Sequence, residues 1–370
     1  MTMRITNSLP AAAATRPDGR TLGYRPALAG IRALAIALVL LRHAAPSLFP
    51  GGGIVGVLLF FVLSGFLITW LLLDERDSTG RIRLRRFYLR RMARLAPAMW
   101  VMLAGYVAIT AMLGEHPVRL WPSVALAVTY TYSLVDPDWA TPDLGPMWSL
   151  SVEEQFYLLW PAVLILVLRR RLSHRRLVLV SGVAALVDAG VRAALWPSVG
   201  NALYTLPVTW ADALFIGGAV AALVRGGRWL ELPRKRLAAP VGAAAALGVL
   251  ILLSACFVPD LKTAGWLYVV GLPVLSLAAG SVIVGALTLA PLERVLEWRP
   301  VVWIGDLSYS LYLWNFALFV IVERHLGSST GQLLIGRPVS LGLTVLAAAG
   351  SYYLVERPTG RFARRLRWLR

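Results

Sequence analysis

Eleven apolar stretches separated by arginine clusters constrain this chain more than any single motif. They lie near residues 28–48, 53–73, 95–113, 119–134, 149–168, 177–195, 204–224, 237–258, 266–290, 301–323 and 338–355. A helix needs about 20 mostly apolar residues to cross a bilayer. Inside lipid, only helices and closed barrels satisfy their own backbone groups. The runs here are continuous rather than alternating, which argues against a barrel. With 58% hydrophobic residues and a mean hydropathy of +0.67, the sequence predicts an all-α fold, a polytopic membrane helical bundle.

Charge sets the expected topology. The net charge is +18. The basic residues fall in short clusters between apolar runs, which is an orientation signal and not a nucleic-acid footprint. If all eleven stretches crossed, the clusters at 169–176 and 225–236 would face away from the cluster at 76–94. If 119–134 enters without crossing, 30 of the 37 basic residues come to one side. The expectation is about ten transmembrane helices, both termini cytosolic, and a re-entrant segment near 119–134. That segment carries Thr129, Tyr130, Thr131, Tyr132 and Ser133. At membrane depth it must be buried in protein or line a cavity.

Residues 1–23 hold no apolar run and read as a disordered cytosolic tail. Residues 24–360 read as one membrane domain, and 361–370 as a basic cytosolic tail. No signal-peptide cleavage site accompanies the first span. The single cysteine, Cys256, builds no disulfide or metal site, and no metal is expected. Arginine outnumbers lysine 35 to 2. With the richness in Ala, Leu and Val, this is associated with a GC-rich bacterial genome, so a bacterial cytoplasmic membrane is the expected location.

Polar residues inside such spans are costly, and by default they mark a site. The first span contains Arg32 and His43, eleven residues apart. On a helix they share nearly one face, roughly 16 Å apart along the axis. Alternatively, Arg32 snorkels to one surface and His43 sits in the opposite headgroup layer. The second span carries Ser64-Gly65-Phe66, small residues that permit close approach of a helix or a ligand. Arg91 and Arg94 open the third span, either as lipid-facing anchors or as paired donors for phosphate. In Gly145–Tyr157, Ser149 is a candidate N-cap. Glu153 and Glu154 complement the helix N-terminus, or Glu153 orients a histidine or holds a proton. Trp148 and Tyr157 flank this acidic pair. In 305–315, Ser308, Tyr312 and Asn315 form one polar stripe at helical spacing.

Taken together, Arg32 and His43, FFVLSGFLIT, RRMARLAP, GPMWSLSVEEQFYLLWP, GDLSYSLYLW and the closing VERP resemble the membrane-bound acyltransferase-3 family over about residues 24–360. The resemblance implies ten spans and roles for Arg32, His43, Arg91, Arg94, Trp148 and Glu153. It also implies an O-acyltransferase that moves an acetyl or other short acyl group from acyl-CoA to a hydroxyl of a carbohydrate, glycolipid or macrolide. The chain departs from the family at Trp314-Asn315, where Trp-His is usual. It departs again at Trp210-Ala211-Asp212, where an arginine often stands first.

The expected roles follow from that chemistry. His43 is the general base and Glu153 orients or charge-stabilises it. Arg32, Arg91 and Arg94 hold acyl-CoA. Trp148, Ser149, Tyr157, Ser308, Tyr312 and Asn315 line the substrate pocket. The alternative is a proton-coupled transporter or flippase of a glycan or lipid. The expected partners are the lipid bilayer, acyl-CoA and the acceptor.

Overall fold

The first described helix begins at Pro26, whose fixed φ suits a first turn. The computed structural model describes residues 25–168, 174–226, 234–327 and 330–365. The expected tail at 1–23 lies outside these residues, and so does 366–370. The helices, in chain order, are α1 Pro26–Ala44, α2 Gly52–Thr79, α3 Leu84–Met112, α4 Leu120–Val128, α5 Met147–Leu168, α6 His174–Val199 and α7 Ala211–Gly226. There follow α8 Arg234–Cys256, α9 Leu272–Thr288, α10 Ala290–Leu296, α11 Arg299–Leu326, α12 Thr330–Ser351 and α13 Arg357–Arg365. The described residues contain no strand. The protein is an all-helical membrane bundle, and among the described residues nine helical runs are long and apolar enough to cross a bilayer.

Among the helices that fall short of that length, α4 and α7 do so for different reasons. Helix α4 has nine residues, about 14 Å, and cannot span. Its two flanks meet at one end of the bundle. Arg324 Nη1 donates to Glu115 Oε2 at 2.5 Å, and Arg324 Nη2 donates to Asp143 Oδ1 at 2.8 Å. The segment therefore dips and returns. Helix α7 has sixteen residues, about 24 Å, and falls outside the nine runs. Short 3-10 turns at 200–209 lead into it. It then runs alongside the second half of α2, ending where Arg225 meets Asp74 at 3.3 Å and Asp77 at 2.9 Å.

These two sets of contacts define the ends. The basic end gathers Arg25 with Glu293, Arg86 with Glu75, and Arg225 with its two aspartates. The far end gathers Glu115, Asp143 and Arg324.

Helix α2 sits centrally, packing on α1, α7, α9, α8 and α5. Glycines set the closest approaches. Gly65 faces the Leu214 carbonyl of α7, and Gly217 faces the Val62 carbonyl of α2. Gly305 of α11 faces the Ala29 carbonyl of α1. Without a hydrophobic driving force between helices in lipid, such small-residue seams supply the packing.

A buried ion-pair cluster lies between α6 and α7. Arg192 of α6 is fully buried. Its guanidinium donates to Asp212 Oδ2 at 2.9 Å, Asp188 Oδ2 at 3.4 Å and the Thr209 carbonyl at 3.0 Å, and its Nε donates to the Tyr268 carbonyl. Asp212, in the Trp210-Ala211-Asp212 segment, thus finds its cation on another helix.

Candidate active site

The α1–α11 seam builds the site. Both helices run in the same direction, so Gly305 against Ala29 brings Ser308 level with Arg32, while Asn315 lies about one turn short of His43 and the two side chains meet across that offset. Arg32 Nε donates to Ser308 Oγ at 3.1 Å. His43 Nδ1 pairs with Asn315 Oδ1. Between them, Tyr312 OH donates to Ser149 Oγ of α5 at 2.5 Å and lies 3.3 Å from the Pro146 carbonyl. Each member of the 308–312–315 stripe therefore has a partner on another element.

Two cavities lie on opposite sides of Tyr312 and Val57, which line both. The one toward the basic end encloses about 860 Å³ and is walled entirely by helices α1, α2, α3, α5 and α11. Arg32, Arg90, Arg91, Arg94, Glu153 and Tyr157 line it. Tyr157 OH donates to Glu153 Oε1 at 2.9 Å, and Ser64 Oγ donates to the same oxygen. Arg91 is committed: its Nε donates to Glu154 Oε1 at 3.0 Å, and its guanidinium carbon lies 3.0 Å from the Tyr157 ring centroid. Arg94 has no ion-pair or hydrogen-bond partner among the described residues, and its charge is directed into the cavity.

The far-end cavity encloses about 530 Å³. His43, Tyr132, Trp148, Tyr204 and Asn315 line it. The His43 ring packs on Phe316, with centroids 5.2 Å apart. Trp148 belongs to an aromatic cluster, 5.0 Å from Tyr204 and 5.4 Å from Trp210. The dipping segment supplies Tyr132, whose hydroxyl donates to the Thr141 carbonyl at 2.8 Å.

Two expectations are corrected. Glu153 is not the partner of His43. It sits in the second turn of α5, on the basic side of Tyr312, where Ser64 and Tyr157 occupy its carboxylate; the histidine is oriented by Asn315 instead. Ser149 is not an N-cap. The helix begins at Met147, and the Ser149 hydroxyl donates back to the Pro146 carbonyl at 3.0 Å instead of accepting from a free N–H.

The remaining expected residues divide cleanly. Arg32, Arg91, Arg94, Glu153, Tyr157 and Ser308 share the basic-end cavity, and His43, Trp148 and Asn315 the far one. Ser149 and Tyr312 form the contact between them. Sequence reasoning missed Ser64 as a polar partner, although SGF stood out as a small-residue site; Ser64 faces Glu153 while Gly65 faces α7.

The family model described as an acyltransferase domain matches residues 25–356. The chain belongs to the acyltransferase-3 family. Among acyltransferase-3 relatives is the peptidoglycan O-acetyltransferase OatA of Listeria monocytogenes, 28% identical over 90% of this chain and 54% of that protein. YrhL of Bacillus subtilis, provisionally named a peptidoglycan O-acetyltransferase, is 30% identical over 90% of this chain and 55% of its own length. A Staphylococcus aureus protein provisionally named an O-acetyltransferase is 29% identical, covering 92% and 58%. The chain thus spans little more than half the length of these relatives. No solved structure matches it significantly. Membership in acyltransferase-3 implies an acyl donor.

Proposed function

We propose that this protein is an O-acyltransferase that takes a short acyl group from acyl-CoA at the basic, cytosolic end and passes it to a carbohydrate hydroxyl at the far end, with His43 as general base. The arrangement of two cavities meeting at Tyr312, one basic and one holding the histidine, carries this reading. The membrane is then the bacterial cytoplasmic membrane, with both termini on the cytosolic side.

The residues fall into roles by chemistry. Arg94 and Arg32 take the donor phosphates and the pantetheine carbonyls, because guanidinium groups offer paired donors to such oxygens. Arg91, Glu154 and Tyr157 hold the wall of that chamber. The pantetheine arm extends past Ser149 and Tyr312 to bring the thioester to the far side. Asn315 Oδ1 only accepts, so the His43 proton sits on Nδ1 and Nε2 is left to accept. The acceptor hydroxyl gives its proton to Nε2 as its oxygen attacks the acyl carbonyl. The C–S bond then breaks and the thiolate leaves with the proton from the imidazole.

The test uses purified protein in nanodiscs with acetyl-CoA and glycan acceptors, followed by mass spectrometry. His43→Ala and His43→Gln are expected to lose acyl transfer by about 10²–10⁴-fold at unchanged thermal stability. A His43→Ala protein retaining more than about a tenth of wild-type rate removes the base assignment.

A further inference from the structure

The far-end cavity holds more positive charge than proton transfer requires. Arg42, in the last turn of α1, and Lys262, in the connection between α8 and α9, both line it. Neither forms an ion pair among the described residues. The one acidic residue among the described lining residues is Asp138, which is exposed. Lys262 Nζ stands 4.3 Å from the centroid of the Tyr204 ring. Burial, and then the nearby Arg42 charge, lower the Lys262 pKa. Two like charges held close at the edge of a low-dielectric cavity repel each other unless an anion lies between them.

The walls narrow the class of anion. Trp148, Tyr204, Tyr132 and Phe316 add aromatic rings to the lining of the same cavity. Such rings suit the C–H face of a sugar ring, and polar groups at fixed points then orient it. Because the acyl-transfer reading puts the acceptor in this cavity, the cations bear on acceptor choice, and the inference rests on that reading.

We infer that the far-end cavity selects an anionic acceptor: a sugar bearing a carboxylate or phosphate, its charge held by Arg42 and Lys262 while its hydroxyl meets His43. The anionic group takes no part in bond making. It anchors the sugar so that the hydroxyl lies at the imidazole, and a neutral sugar of the same shape binds less well.

The test offers paired acceptors to the protein in nanodiscs with acetyl-CoA. One pair is a uronic-acid disaccharide and its methyl ester. The other is a disaccharide phosphate and its unphosphorylated parent. Wild-type protein is expected to show a KM at least roughly tenfold lower for the charged member of one pair, which also tells carboxylate from phosphate. Arg42→Gln and Lys262→Gln are expected to shrink that preference to within about twofold in combination, and Lys262→Arg to keep it. Arg119→Gln, an exposed cation beside Trp139 outside the cavity, is expected to leave the preference intact. Equal use of charged and neutral acceptors by the wild type overturns the inference while acyl transfer stands. So does a preference that survives in the Arg42→Gln/Lys262→Gln double variant. Transfer to none of the four acceptors overturns both readings.

Discussion

Arg91 and Arg94 are three residues apart in one helix and begin the same span, yet they meet different fates. Arg91 lies between Glu154 and the Tyr157 ring; Arg94 faces the cavity with no partner among the described residues. Arg94→Ala is expected to raise the KM for acyl-CoA roughly tenfold or more, with a smaller effect on kcat, since a charge-assisted contact contributes about 1.5–3 kcal/mol. Steady-state kinetics on purified protein checks this; a KM unchanged at normal expression returns Arg94 to the role of a lipid anchor. Arg91→Ala is expected to act on folding first. It leaves Glu154 largely buried and unpaired, a loss on the order of 3 kcal/mol. Removing both partners in Arg91→Met/Glu154→Met is expected to recover much of the melting temperature lost by the single change. From sequence the two arginines were indistinguishable, because what separates them is the position of α5, a helix 63 residues further on.

At the level of elements, glycines decide which helices can share a seam. A Cβ at Gly65 would collide with the backbone carbonyl of Leu214, which cannot rotate away. Gly65→Ala is expected to lower stability by about 1–3 kcal/mol, read as an earlier thermal melt in detergent. Gly342→Ala in α12, where a Cβ meets nothing within 4 Å, is the matched control and is expected to be neutral. The second span was legible as a close-packing helix because SGF breaks an otherwise bulky run. Its partner was not legible, since α7 lies some 150 residues away and nothing local names it. The 308–312–315 stripe was legible for the same reason as the helix itself: three polar side chains on one face of an apolar helix must all face protein or a cavity. The pairing of Glu153 with His43 rested on both lying toward one end of their spans; packing of α5 on α2 puts Glu153 against Ser64 instead.

For the whole molecule, the charge count anticipated a chain that dips once and crosses ten times; among the described residues nine helical runs have the length to cross, and the Arg324 contacts bring the two flanks of α4 together. Single cysteines at positions 115 and 143, introduced into Cys256→Ser protein, are expected to label from the same side of intact membranes. A cysteine at position 81 is expected to label only after permeabilisation. Labelling of 115 and 143 from opposite sides overturns the dip. The path was legible because charge bias is written along the chain. The two cavities were not, because they arise where segments far apart in sequence leave a gap.

The two cavities also differ in what walls them. The basic-end chamber is enclosed by helices alone. The far one takes much of its wall from connecting segments, with Tyr132, Thr141 and Pro146 in one, Tyr204 in another and Lys262 in a third. Connections tolerate insertions and exchange, whereas packed helices tolerate little beyond substitution. The molecule is thus divisible into a conservative half and an interchangeable one. Grafting residues 130–146 and 257–264 from a relative is a way to give this protein a new far-end chamber while leaving the other as it was.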